Sequence, residues 1–236
     1  MSAEHEILTK NIASVRQTIA EACERVGRRP EEVHIVAVSK TVDIARIKVA
    51  WECGLSEFGE NRVQEAAQKI PYLPKEIKWH LVGSLQTNKV KKALSLFSLI
   101  HSVDRPALVE ALARATGTTD QRLPVLMQVN VTGESTKHGI PIAEARRLAR
   151  FIIQVGLELE GLMTIAPLTD NPEETRPVFR TLRQLRDDLR QLGLPHAPLN
   201  ILSMGMSGDY TVAVEEGATH VRIGTAIFGM RQMNPA

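Results

Sequence analysis

Seven short apolar runs alternate with amphipathic stretches along the chain. They are Val33–Ser39 (VHIVAVS), Trp79–Ser84 (WHLVGS), Phe97–Val103 (FSLIHSV), Val125–Val131 (VLMQVNV), Leu157–Ala166 (LELEGLMTIA), Ile201–Ser207 (ILSMGMS) and His220–Gly229 (HVRIGTAIFG). A weaker run, Ser56–Asn61 (SEFGEN), fills the gap after the first. Several are β-branched and nearly continuous, the form of strands buried on both faces. The intervening stretches read as helices. Leu8, Ile12, Val15, Ile19 and Val26 recur at helical spacing before the first run, and Ala145, Leu148, Ala149, Ile152 and Val155 do so later. The clearest stripe is Val178, Leu182, Leu185, Leu189 and Leu192. Arg176, Arg180, Arg183 and Arg190 fall on its other faces and read as a solvated surface, with Glu173, Asp187 and Asp188 as charge partners.

Strand–helix alternation with about eight strands predicts a parallel sheet. An open doubly wound sheet and a closed barrel both fit. The barrel fits better, because no G-x-G-x-x-G follows the first strand. The expectation is a single (β/α)8 TIM barrel with an additional N-terminal helix, residues 1–236 forming one domain. Chemistry in such a barrel sits at the C-terminal ends of the strands.

Composition narrows the function classes. With 236 residues, 43% hydrophobic and 24% charged, the chain can bury a full core without metals or disulfides. Cys23 and Cys53 read as reduced thiols without metal-ligand partners at useful spacing. The opening MSAEHEILTK carries charges where a signal peptide is apolar, and no apolar run spans a bilayer. A cytoplasmic protein without membrane contact is expected. A net charge of +2 with interspersed signs, and no aromatic-plus-basic surface pattern, argues against nucleic acid.

Three strand ends carry candidate chemistry. Lys40 closes the first strand, where partial desolvation would lower its pKa and free the amine to attack a carbonyl. Met204-Gly205-Met206-Ser207-Gly208-Asp209 follows the seventh strand and opens a helix, so its backbone N–H groups can cradle a phosphate. Asp209 also reads as a plain N-cap, with Gly217 closing that helix. Arg222, Gly224 and Thr225 lie on the eighth strand. Arg222 alternates with Gly224 and faces the interior, where a guanidinium needs an acceptor. Glu158 and Glu160 sit near the wrong end of their strand to serve. Asn61 ends the second strand as a further ligand candidate. Asn130, His80 and His101 read as structural, and Asp104 as a helix N-cap. A lysine, an anion cradle and a buried arginine on one barrel mouth suit an aldehyde that carries a phosphate and a pyridine nitrogen. Pyridoxal 5′-phosphate has all three groups.

At these residues the sequence resembles the pyridoxal phosphate homeostasis proteins, the alanine-racemase N-terminal-domain-like barrels. The resemblance runs from about Val33 to Gly229. It rests on AVSKT (Ala37–Thr41), FGENRVQE (Phe58–Glu65), WHLVGSLQTNK (Trp79–Lys89), GLMTI (Gly161–Ile165), SMGMSGD (Ser203–Asp209) and VRIGTAIFG (Val221–Gly229). It implies a Schiff base between the cofactor and Lys40, with Arg222 facing the pyridine nitrogen and Asn61 beside the ring. Ser207, Gly224 and Thr225 would hold the phosphate, with Met206 in the same loop. The implied role is intracellular homeostasis of the cofactor, affecting amino-acid balance. The implied partners are the cofactor and pyridoxal-phosphate-dependent apoenzymes.

Two enzyme classes compete with this reading. A racemase of the related barrels needs acids and bases on both faces of its substrate. In those racemases the second group comes from a C-terminal β-domain, whereas this chain ends at Ala236, and Tyr72 and Tyr210 are its only tyrosines. A sugar-phosphate or aldolase-type barrel would also want a lysine and a phosphate cradle, but Arg222 fits it less well. The expectation is therefore a monomeric, metal-free cofactor carrier with no catalytic residues.

Overall fold

The structure is a computed structural model that describes residues 3–117, 122–134 and 137–229. Its parallel strands are β1 (His34–Val38), β2 (Glu57–Glu60), β3 (Lys78–Leu81), β4 (Leu99–Val103), β5 (Pro124–Asn130), β6 (Ile140–Pro141), β7 (Glu158–Met163), β8 (Ile201–Met206) and β9 (His220–Ile223). They run in the order β4-β3-β2-β1-β9-β8-β7-β5-β6, and a further pairing of β4 with β5 closes the ring. The eight staves are β1–β5 and β7–β9, one for each of the seven apolar runs and one, β2, for the weaker Ser56–Asn61 run. The two-residue β6 only extends the end of β5, through Val129 and Ile140. This is the expected closed parallel barrel of eight strands, with an added N-terminal helix.

That helix, α1 (Ala3–Arg25), buries Leu8, Ile12, Val15, Ile19, Ala22 and Cys23. It lies against α8 (Tyr210–Glu215) and α9 (Thr225–Phe228), where the Asn11 side chain donates to the Ile227 carbonyl at 2.9 Å. Val26 was expected in the same stripe but falls past the helix end and is exposed. The chain has already turned there through Gly27, whose φ is +67°.

The Val178–Leu189 stripe is the buried face of α7 (Arg176–Arg190). Its arginines, however, do not simply face water. Arg176 pairs with Glu173, Glu215 and Glu216, while Arg180 and Arg183 both reach Glu216. Arg25 of α1 joins through Glu215. The carboxylates at the end of α8 thus tie three helices together, and of the expected partners only Glu173 serves these arginines; Asp187 pairs with Arg186.

Alternation along the staves sends one set of side chains to the helices and the other into the barrel. The outward set forms the main apolar core. The inward set is mixed. Leu99, Leu126 and Met163 make a small apolar cluster, and Glu57, His80, His101, Ser203, His220 and Arg222 fill much of the rest, all buried. Gly161 lets β7 and β8 approach closely: a Cβ there would lie 1.9 Å from the Ile201 carbonyl oxygen.

Burial holds His80 down at about 4 and His220 at about 3, and pushes His101 well below the ordinary histidine value of 6.5. An unfolded chain takes up these protons near pH 6.5, whereas the folded barrel refuses them until far lower pH. Stability from these groups is fully present above about pH 6.5 and declines as the pH falls toward 4. His34 acts in the opposite sense, since its bond to Glu57 raises its pKa. Urea unfolding at pH 7.5, 6.5 and 5.5 should therefore show a net loss below pH 6.5, of up to about 1.4 kcal/mol per pH unit for each histidine kept neutral. Equal stability at all three values would contradict it.

Candidate functional site

The candidate residues gather at the C-terminal mouth of the barrel. Lys40 lies two residues past the end of β1, in a turn, and is exposed. The expected desolvation of its amine is not found, because the stave stops at Val38 and the mouth opens to water. What surrounds its backbone is well ordered chemically. The Lys69 ammonium, on α3 (Val63–Lys69), donates to the Ser39 carbonyl at 2.8 Å, to Glu60 Oε1 at 3.0 Å and to Glu65 Oε1 at 2.6 Å. Glu65 Oε1 in turn accepts from the Thr41 amide at 2.6 Å, and Ser39 Oγ donates to Glu60 Oε1 at 2.7 Å. Residues 39 and 41 are thus fastened on either side of Lys40, and Thr41 is held at a φ of +64°. Burial raises the carboxyl of Glu60, which is fully inaccessible and whose Oε2 has no partner. The sequence reading missed this clamp. Its signal was present: Glu60 and Glu65 stand in FGENRVQE, and Lys69 follows Glu65 at the i,i+4 spacing of a helical ion pair.

Arg222 reaches into the barrel from β9. Its Nη1 donates to Ser203 Oγ at 2.7 Å and its Nη2 to the Thr164 carbonyl at 2.8 Å. Ser203 Oγ also meets His101 Nδ1 at 2.9 Å, and His101 Nε2 meets His80 Nδ1 at 3.1 Å. Both histidines are core groups with polar partners, as expected. Among the described residues no carboxylate forms an ion pair with Arg222. Burial lowers its pKa to about 10, only partly offset by the charge of Asp209. A buried guanidinium with neutral partners alone suits a neutral acceptor, and a pyridine nitrogen is one.

Gly224 and Thr225 are not on the last stave, as the alternation suggested. β9 ends at Ile223, Gly224 turns the chain, and Thr225 begins the one-turn α9. This turn aims the amides of Gly224 and Ala226 at Ser207 Oγ, each at 3.3 Å. Two N–H groups and a hydroxyl converge between β8 and β9, a donor set that fits a phosphate. Asp209 occupies the N-cap of α8 as expected, but its side chain makes no cap hydrogen bond. Its Oδ1 accepts from the Met206 amide at 2.6 Å, which folds the 206–209 loop onto itself. Gly217, with φ at +97°, follows that helix as expected.

Asn61 follows β2, half-buried, on the wall of a cavity of about 660 Å3 that Arg62, Ser84, Gln86 and Lys89 also line. Asn130 is structural: it donates to the carbonyls of Glu134 and Lys137 and accepts from Thr132 Oγ1 and the Gly133 amide. Asp104 pairs with Arg105 and caps nothing, since Arg105 occupies the N-cap of α5 (Pro106–Thr116).

The family model for the N-terminal domain of alanine racemase matches residues 11–232. A pyridoxal phosphate homeostasis protein of Aquifex aeolicus is 42% identical over 228 residues, covering 94% of this chain and 98% of that protein. The chain belongs to the pyridoxal phosphate homeostasis protein family. Within this family's fold, PipY of Synechococcus elongatus, whose structure has PLP bound, superposes with a TM-score of 0.81 at 38% identity, over 94% of this chain and 100% of that one. A protein from Bifidobacterium adolescentis gives a TM-score of 0.91 at 37% identity, over 97% of each chain.

The clamp around Lys40 has a measurable consequence. Lys69→Met leaves Glu60 and Glu65 without their shared cation, and breaking a buried pair from one side costs about 3–5 kcal/mol. Proton uptake by Glu60 offsets part of that loss. The midpoint of urea unfolding should fall accordingly, and a change below about 1 kcal/mol would show that the network holds nothing in place.

Proposed function

We propose that this protein binds pyridoxal 5′-phosphate through Lys40 and maintains the intracellular supply of the cofactor, acting in the cytoplasm without turning over a substrate. The observation that carries the reading is Arg222, buried with only neutral acceptors at the foot of a mouth that also offers a lysine amine and a convergent donor set. When bound, pyridoxal phosphate supplies an aldehyde that condenses with an amine, a ring nitrogen that accepts a hydrogen bond, and a dianionic phosphate.

The chain's own residues divide that work. Lys40 provides the amine, on a backbone pinned by the Lys69–Glu60–Glu65 clamp. Arg222 would donate to the ring nitrogen and, having no carboxylate partner, would leave that nitrogen unprotonated. Ser207, Gly224 and Thr225 would hold the phosphate where β8 and β9 open, with Met206 at the end of β8. Asn61 would lie beside the ring. PipY, with PLP bound, and the homeostasis role in the names of the relatives support this assignment.

A carrier role follows from the same arrangement. An arginine at the ring nitrogen makes the ring a weak sink for electrons, and a racemase needs a second positioned acid. Tyr72 is exposed on the 310 turn after α3, and Tyr210 opens α8 behind Gly205. The exposed Lys40 suits release of the cofactor to pyridoxal-phosphate-dependent apoenzymes from a monomer. No helix among the described residues is long and apolar enough to cross a membrane.

Protein loaded with pyridoxal phosphate and reduced with borohydride should yield one modified peptide, containing Lys40. Lys40→Ala should give no covalent product there and lose the visible absorption band. Modification confined to another lysine would overturn the assignment.

A further inference from the structure

A second cluster of chemically active side chains occupies the opposite end of the barrel. His34 opens β1, Glu57 opens β2 and His220 opens β9, and these three staves are neighbours in the order β2-β1-β9. His34 and His220 are direct partners in the register. One ligand atom from each of the three residues lies within 4.8 Å of the others. His34 Nδ1 is 3.1 Å from Glu57 Oε1, and His220 Nε2 is 3.7 Å from Glu57 Oε2. These separations bracket the edge of about 3.3 Å for a tetrahedron with metal–ligand bonds of about 2.0–2.1 Å.

Two further observations single the cluster out. Glu57 is buried, yet its Oε2 has no hydrogen-bond partner. A buried carboxylate oxygen facing an imidazole across 3.7 Å is a costly arrangement unless a ligand occupies the gap. His220 is also oriented from behind. Its Nδ1 lies 3.0 Å from Thr219 Oγ1, which itself approaches the Leu202 carbonyl at 3.5 Å. The same hydroxyl accepts from the Leu202 amide at 2.9 Å, so the ring is held from behind with Nε2 as the nitrogen turned toward Glu57.

We propose that His34, Glu57 and His220 form a binding site for one divalent transition-metal ion of the zinc class, at the end of the barrel remote from Lys40. Two imidazoles and a carboxylate are a ligand set zinc accepts while keeping a fourth position open. A cavity of about 400 Å3 at the same end of the barrel is lined by His34 and Glu57. The rings of His34 and His220 lie stacked, with centroids 4.7 Å apart, and the His34 side chain is half exposed.

Chelator-treated protein carrying its cofactor is titrated with Zn2+ against a chromophoric competitor, while the cofactor absorbance is followed. The expected result is one ion per chain, an unchanged cofactor band and a raised melting temperature. His34→Gln, at a half-exposed position that leaves the fold intact, should weaken binding at least tenfold and abolish the melting shift. Cys53→Ser, which removes a thiol near His5, should change neither. Absence of stoichiometric uptake, equal affinity in His34→Gln, loss in Cys53→Ser instead, or a zinc-dependent shift of the cofactor band would each overturn the proposal.

Discussion

A guanidinium sealed inside a barrel is the constraint around which the interior is arranged. Arg222 cannot shed its charge at neutral pH, and among the described residues no carboxylate pairs with it. Its neighbours answer with neutral oxygens: a hydroxyl from β8 and a carbonyl from the end of β7. Ser203 then hands the polarity on to His101 and His80, which burial keeps neutral. An aliphatic interior of the usual kind would leave the guanidinium unsolvated. The polar column is therefore what lets a cation stand at the foot of the mouth, aimed at whatever binds above it.

The mouth is built by stopping the staves early. β1 ends two residues before Lys40, β2 one residue before Asn61, and β9 one residue before Gly224. Lys40, Asn61 and Gly224 thus sit past the ends of their staves, and the turns after β1, β8 and β9 are fixed by side chains rather than by the sheet. Lys69 and Glu65 hold the first, and Asp209 and Ser207 hold those after β8 and β9. A rigid barrel presenting short, pinned turns is a common way to combine a stable scaffold with exposed chemistry.

Much of this was legible in the sequence. Apolar runs gave all eight staves because buried parallel strands carry their own signature. Arg222 was recognisable as an interior cation from period-two alternation alone. What the pattern could not supply were partners brought together by barrel closure. Ser203 and Thr164 lie 19 and 58 residues from Arg222, and Glu215 and Glu216 lie about a whole helix and strand from the α7 arginines they join. Local propensity also misled about the side-chain partners of Asp209 and Asp104. Both have the residue type of an N-cap, yet each found a stronger partner, the Met206 amide and the Arg105 side chain. The Lys40 environment was misjudged for a similar reason. An apolar run predicts a buried strand, but not how far beyond it the chain stays buried.

Arg222 is expected to meet the cofactor as a donor to its ring nitrogen. The nitrogen-15 chemical shift of that atom, in protein loaded with ring-labelled pyridoxal phosphate, reads this directly. An arginine has no acceptor, so it can only bond an unprotonated ring nitrogen. The account predicts an unprotonated, hydrogen-bonded shift that does not titrate between about pH 6 and pH 9. A pyridinium shift at neutral pH would contradict it.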